Sequence, residues 1–275
     1  MTGFGMVELA SAAITSAGKV RAVNQDALVE RYPVFIVADG MGGHDAGEIA
    51  SAVVAEEMKA LTTLGQPDVA AVKETIAAAA RRIQRIGARD RRHAAGTTLT
   101  GVVVVSRNNA PYWLVVNVGD SRTYRLERGR LEQLSHDHSE VQELVDRGRI
   151  SPAAARHHPR RSVVTRVLGA PGQDEPDYWL LPIEDGDRIL VCSDGLTAGV
   201  PDAAIAAALR ALSEPRSAVE ALMTAALAAG GRDNISIIVV DAHLPGGSDE
   251  PDTANTACNP MTETRPNPKI ERSRL

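Results

Sequence analysis

The sequence is short of aromatic residues, of cysteine and of any strong charge bias. Only two Phe, four Tyr and two Trp occur in 275 residues, against 44% hydrophobic content, so the core must be mostly Val, Leu, Ile and Ala. The two cysteines lie far apart, Cys192 in an apolar run and Cys258 in a polar one. They make neither a disulfide framework nor a zinc cluster, and a reducing cytosol is the expected home. The net charge of −5 comes from 30 basic and 35 acidic residues mixed along the chain. That balance argues against a globally basic nucleic-acid binder. No apolar stretch approaches the ~20 residues of a membrane span. No lysine or arginine precedes Lys19, so the charged start of a signal peptide is missing. A cytoplasmic protein with neither a membrane nor a nucleic-acid partner is expected. The length suits one large domain or two small ones.

What is present centres on Val34-Phe35-Ile36-Val37-Ala38-Asp39-Gly40-Met41-Gly42-Gly43-His44. A short apolar run closed by glycines reads as a buried strand delivering its last residue to a loop. That residue is a carboxylate, which a buried strand end rarely carries without a partner. Glycines let backbone carbonyls and amides approach a ligand closely. From Gly47 onward an amphipathic helix is expected. Alone, the stretch fits a tight turn with Asp39 as a capping residue equally well.

Strands are expected at about 7–14, 97–105, 112–118, 122–126, 131–134, 178–183, 188–192 and 235–240. Helices are expected at 47–64, 67–86, 139–147, 202–212 and 216–229, the second with Val69, Val72, Ile76, Ala80 and Ile83 on one face. Short turns join 97–105 to 112–118, 122–126 to 131–134, and 178–183 to 188–192, each read as an antiparallel pair. Arginines 81, 82, 85, 89, 91 and 92 crowd the end of the second helix, ordinary for a solvated helix C-terminus. Residues 147–173 hold six arginines and no acid, with Pro152, Pro159, Pro171, His157 and His158, and read as a surface excursion. Residues 243–275 are polar, poor in aliphatics and expected to be disordered. Helix pairs separated by antiparallel strands give an α+β fold, a four-layer α-β-β-α sandwich of two sheets packed face to face.

Four acids share one grammar, beside glycine or a small polar residue at the edge of an apolar strand: Asp39, Asp120, Asp194 and Asp233. Asp26, in Arg21-Ala22-Val23-Asn24-Gln25-Asp26, is a fifth. Each could be a simple turn former. Converging on one place, all five would need cations to neutralise them. An oxygen-only donor set suits Mg²⁺ or Mn²⁺. Two such ions can activate water and clamp a phosphoryl group, with an arginine on its outer oxygens.

The series Arg21…Asn24-Gln25-Asp26, Asp39-Gly40-Met41-Gly42-Gly43-His44…Gly47-Glu48…Ala50-Ser51, Gly96-Thr97-Thr98, Gly119-Asp120-Ser121-Arg122, Ser193-Asp194-Gly195-Leu196 and Gly231-Arg232-Asp233-Asn234 resembles the motif series of the bacterial type 2C, or PPM, metal-dependent Ser/Thr phosphatases. The motifs run in order across about 7–242, implying one phosphatase domain over 1–242 with a flap at about 147–173, where Arg161-Ser162 also matches. The resemblance implies two Mn²⁺ or Mg²⁺ ions, bridged by Asp39 and held also by the Gly40 carbonyl, Asp194 and Asp233. Asp26 would hold metal-bound waters, and Asp120 with Asp194 a third, weaker ion. Arg21 would bind substrate phosphate, and a bridging hydroxide would attack phosphorus in line without a phosphoenzyme. His44 would be the general acid, or a structural residue of its glycine turn, with water on the third ion as the other proton source. Gln25 stands where relatives often carry Glu, which removes one outer charge but no ligand. Phosphorylated Ser/Thr proteins, a cognate Ser/Thr kinase among them, are the implied partners of a monomer. The alternatives are an inactive member that binds phosphoproteins and a phosphatase of small phosphorylated molecules. The flap arginines would attract acidic segments, or are an incidental solvated charge.

Overall fold

The computed structural model describes residues 7–42, 46–89, 95–108, 110–172 and 174–244. The chain runs β1 (Glu8–Ser16), β2 (Asp26–Arg31), β3 (Val34–Gly42), α1 (Ala46–Ala60), a 3-10 turn (Leu61–Thr63), α2 (Val69–Arg89), β4 (Ala95–Thr97), β5 (Leu99–Arg107), β6 (Ala110–Val118), β7 (Arg122–Glu127) and β8 (Arg130–Gln133). It continues with α3 (Glu140–Asp146), α4 (Pro152–Ala155), β9 (Asp177–Pro182), β10 (Arg188–Cys192), α5 (Asp194–Thr197), α6 (Asp202–Ala211), α7 (Pro215–Ala228) and β11 (Ile235–His243). One sheet has the order β1-β11-β10-β7-β8; the other runs β2-β3-β5-β6-β9, with β4 on β3. The named pairings are antiparallel.

Period-two alternation sorts the side chains into layers. Val34, Ile36 and Ala38 of β3, with Val103, Val105, Leu114 and Val116, bury against Val53, Val54 and Met58 of α1 and Val72, Ile76 and Ile83 of α2. Leu190, Cys192, Ile237 and Val239 bury against Ile205, Leu209, Leu222 and Met223 of α6 and α7. Between the sheets lie Phe35, Val37, Val102, Val104, Trp113, Val115, Ile189, Val191, Ile238 and Val240. The architecture is the expected α-β-β-α sandwich, with Val, Ile and Leu carrying its interior.

Two local expectations fail. The segments 178–183 and 188–192 do not pair: β9 joins β6 in one sheet and β10 joins β7 and β11 in the other. The chain crosses the sandwich between them at Asp187, which is buried and accepts from Trp113 Nε1 at 3.0 Å and Arg125 Nε at 2.6 Å. Nor is 147–173 wholly a surface excursion. Thr97 and Leu168 exchange backbone hydrogen bonds at 3.1 and 2.9 Å, and the Leu168 side chain is fully buried under α1 and α2. Of the segment expected as a disordered tail, residues from 245 on lie outside the described residues.

Candidate active site

The inter-sheet layer changes chemistry at one end of the sandwich. Continuing the parity that puts Phe35 and Val37 between the sheets brings Asp39 to that layer; Leu28 likewise leads back to Asp26. Asp26 and Asp39 are direct cross-strand partners, an arrangement unfavourable for like charges. On the facing sheet, Val191 leads to Ser193 and Ile238 leads back to Ser236, hydroxyls in place of methyls. Thr98 and Ser121 pair at 2.8 Å, Thr100 and Thr123 at 2.9 Å, and Thr15 and Ser236 at 2.8 Å. A floor of hydroxyls, buried at Thr98, Thr100, Ser121, Thr123, Ser193 and Ser236, therefore lies beneath the carboxylates.

The backbone at Asp39 is fixed from one side by β4 and β5. Its N–H donates to Thr98 Oγ1 at 3.0 Å, and its carbonyl accepts from Thr98 N and Thr97 Oγ1, both at 2.9 Å. Gly40 crosses Gly47 so closely that a Cβ at Gly40 would sit 2.1 Å from the Gly47 carbonyl oxygen and 2.7 Å from that of Gln25. Gly40 N and Ser51 Oγ both donate to the Gln25 carbonyl, at 3.1 and 2.6 Å, tying the start of α1 to the segment before β2.

Asp26, Asp39, Asp120 and Asp194 are brought together with Asp233, and burial and repulsion raise the proton affinities of the first four. Burial is the largest cause at Asp26, Asp39, Asp120 and Asp194; neighbouring carboxylates come next at the last three, whereas at Asp26 hydrogen bonds from Ser236 and Ser193 come next and pull the pKa back down. Asp39 is held well above the usual carboxylate range, with Asp26, Asp194, Asp120 and Asp233 all raising it further. Asp120 is pushed up to about 8, with Asp194 the leading neighbour. Asp26 and Asp194 are each pushed up to about 6, and Asp39 lies within hydrogen-bonding reach of Asp194. Ser193 Oγ donates to Asp26 Oδ2 at 2.8 Å, while Asp26 Oδ1 is buried and has no partner. An orphaned carboxylate oxygen beside four more aspartates is the donor chemistry of a hard divalent cation. Among the described residues, no group of three or more His, Cys, Asp or Glu side chains is already arranged around one ion. The acids are drawn into pairs instead, Asp39 with Asp194 and Asp233 with Arg21.

Arg21 reaches the cluster, donating from Nη2 to Asp233 Oδ2 at 2.8 Å, with 55% of its side chain exposed. His44 lies outside the described residues. Several contributors went unread in the sequence. Ser193 and Ser236 flank Asp26, and Asn234 binds the segment carrying Arg21. His138 forms a two-way clamp on Gly119: its N–H donates to the Gly119 carbonyl at 2.9 Å, and its Nδ1 accepts from Gly119 N at 3.2 Å. That acceptor role leaves Nε2 as the donor to Asp177 Oδ2 at 3.0 Å. With Arg166 on the same carboxylate at 3.1 Å, the start of β9 and the segment before it are linked to the turn bearing Asp120. The available signal was parity: Ser and Thr take the inter-sheet positions at the strand ends.

The comparisons agree with this geometry. The family model for protein phosphatase 2C matches residues 15–229. A serine/threonine phosphatase stp of Listeria welshimeri is 33% identical over 242 residues, 84% of this chain and 94% of that protein. The crystal structure of the Mycobacterium tuberculosis serine/threonine phosphatase PstP/Ppp superposes with TM-score 0.80 at 36% identity, over 86% of this chain and 100% of that one. A structure of the PstP catalytic domain in complex with two manganese ions gives TM-score 0.79 at 33% identity, over 86% of this chain and all of that one. With its fold, its ordered motifs and these likenesses in agreement, the chain belongs to the protein phosphatase 2C family, as a serine/threonine phosphatase of the bacterial type.

Proposed function

We propose that the chain hydrolyses phosphoserine and phosphothreonine in proteins at the carboxylate end of the sandwich, using Mn²⁺ or Mg²⁺. One observation carries the reading: five aspartates from five separate segments meet over a hydroxyl floor, and burial and repulsion raise the pKa of four of them. In this reading Asp39, the Gly40 carbonyl, Asp194 and Asp233 would hold the two ions, and Asp120 with Asp194 would hold a third more weakly. When bound, these ions supply positive charge to the phosphoryl oxygens and acidity to water. Asp26, anchored through Oδ2, offers its orphaned Oδ1 to a water placed for in-line attack. Arg21 exchanges Asp233 for the outer phosphate oxygens, a bidentate match its guanidinium makes well. Attack breaks the bond from phosphorus to the serine or threonine oxygen, and the departing alkoxide takes its proton from His44 or from water.

The domain spans 1–242, with 147–173 as its flap. The active unit is read as a monomer. A cognate Ser/Thr kinase belongs among the phosphoprotein substrates. No helix among the described residues is long and apolar enough to cross a membrane. The use of only two, widely separated cysteines supports a cytoplasmic location. The test is hydrolysis of p-nitrophenyl phosphate and of a phosphothreonine peptide with Mn²⁺ and with EDTA. Turnover of both in Mn²⁺ and of neither in EDTA is expected; no Mn²⁺-dependent turnover of either would sink the reading.

A further inference from the structure

Arg21 sits in a loop, residues 17–25, that has little apolar packing of its own. Val20 is 68% exposed, Val23 is 51% exposed, and Arg21 points into the cleft. Hydrophobic burial therefore does not fix this loop, and hydrogen bonds must. The buried side chain that reaches the loop at three points is Asn234, only 5% exposed. Its Oδ1 accepts from Gln25 N at 2.8 Å, and its Nδ2 donates to Val23 O at 2.9 Å and Ala17 O at 3.2 Å. One side chain thus holds both ends of the loop and a point beside Arg21. Its backbone N–H also donates to Asp233 Oδ1 at 2.9 Å, while Arg21 occupies Oδ2 of the same carboxylate.

The loop backbone is laid directly on the turn before β11. Lys19 N donates to the Gly231 carbonyl at 2.7 Å, and a Cβ at Gly18 would fall 2.3 Å from the Asp233 carbonyl oxygen. Other ties at the loop's ends are Gly18 N to Ser16 Oγ at 3.1 Å, Asn24 Nδ2 to Thr15 Oγ1 at 2.8 Å, Asp26 N to Asn24 Oδ1 at 3.2 Å, and Gly40 N and Ser51 Oγ on the Gln25 carbonyl at 3.1 and 2.6 Å; Asn234 differs from these in joining the loop to the turn that carries Asp233. Aspartate at 234 would keep the acceptor for Gln25 but aim a second oxygen at two carbonyls, and alanine would remove all three of these hydrogen bonds.

We propose that Asn234 is a positioning residue for phosphate binding: it locks the loop carrying Arg21 to the strand end carrying Asp233, so that phosphate-binding cation and carboxylate keep a fixed spacing. The proposal rests on the phosphate-binding reading of Arg21, and its test separates the two. Full-length wild type, R21A, N234A and the double variant are compared at saturating Mn²⁺. The readouts are KM and kcat for p-nitrophenyl phosphate, the inhibition constant of inorganic phosphate and Mn²⁺ affinity by calorimetry.

Losing a hydrogen bond to a charged group corresponds to roughly tenfold or more in affinity, so R21A raises the phosphate inhibition constant by about that factor. N234A raises it comparably, with KM moving more than kcat. The double variant is no more than about twofold worse than R21A, because an Arg21 on a released loop has little left to lose. N234D, the same size, behaves like N234A and carries the cycle where N234A is too unstable to assay. Independent effects that multiply in the double variant overturn the proposal, as does a lowered melting temperature with an unchanged inhibition constant. If R21A alone leaves phosphate inhibition unchanged, the phosphate role of Arg21 fails first.

Discussion

Replacing Asp39 by asparagine should stabilise the metal-free protein while destroying its activity. Asp39 is held well above the ordinary carboxylate range first by burial and then by Asp26, Asp194, Asp120 and Asp233. Asparagine keeps the shape and a donor toward Asp194 but cannot ionise, so it escapes the opposition that burial and the neighbouring carboxylates set against a charged Asp39. Each pKa unit is worth about 1.4 kcal/mol. Asp26 and Asp194, raised from 3.8 to about 6, are therefore each opposed in ionising by on the order of 3 kcal/mol. On the same scale, removing the Asp39 carboxyl, whose own ionisation is opposed by burial and four carboxylates, relieves on the order of 2 kcal/mol near pH 8. For a domain of this size that is a rise in melting temperature of about 4–8 °C.

The sign fixes the pH window. A carboxylate whose folded pKa is raised contributes stability below its unfolded value, lost as pH rises through the folded one. In EDTA the wild-type melting temperature should fall between pH 4 and pH 8, and that of D39N should fall less. Saturating Mn²⁺ should reverse their order at pH 8, because only wild type keeps the full donor set. Differential scanning calorimetry in EDTA reads all of this. A D39N protein melting at or below wild type at pH 8, with the same pH slope, would refute the reasoning.

Three further perturbations follow from the same geometry. G40A places a methyl 2.1 Å from the Gly47 carbonyl and should abolish activity and lower the melting temperature by several degrees, whereas alanine at exposed Gly65, with φ +70 and open space around it, should lower the melting temperature only modestly and leave kcat intact. S193A frees Asp26 Oδ2 and should weaken Mn²⁺ binding by about tenfold, read by calorimetry, with S193T recovering part of the loss. H138A removes the ring that accepts from Gly119 N and the link to Asp177, and should lower turnover at limiting Mn²⁺ more than at saturating Mn²⁺.

Much of the centre was legible because chain chemistry and chain position coincide. An acid after five apolar residues and before glycines has few structural uses, and Asp39, Asp120, Asp194 and Asp233 repeat that grammar. The hairpins β5–β6 and β7–β8 were legible for a similar reason, with strong turns between period-two runs. The crossing between β9 and β10 was not, because Glu184-Asp185-Gly186-Asp187 looks like any hairpin turn. Its role is set by Trp113 and Arg125, 74 and 62 residues away, which hold Asp187 between the sheets. Leu168 was hidden in the same way, an apolar residue in an arginine-rich stretch whose burial depends on pairing with Thr97. The hydroxyl floor and the Asn234 anchor depend on which strand ends face one another, which only tertiary structure decides.

The most direct test of the account is the number of Mn²⁺ ions bound per chain, measured by calorimetry on EDTA-stripped protein and again on D39N. If Asp39 bridges a binuclear centre, wild type binds at least two ions per chain, and D39N loses both high-affinity sites while remaining folded. Unchanged stoichiometry and affinity in D39N would contradict the centre assigned to these strand ends.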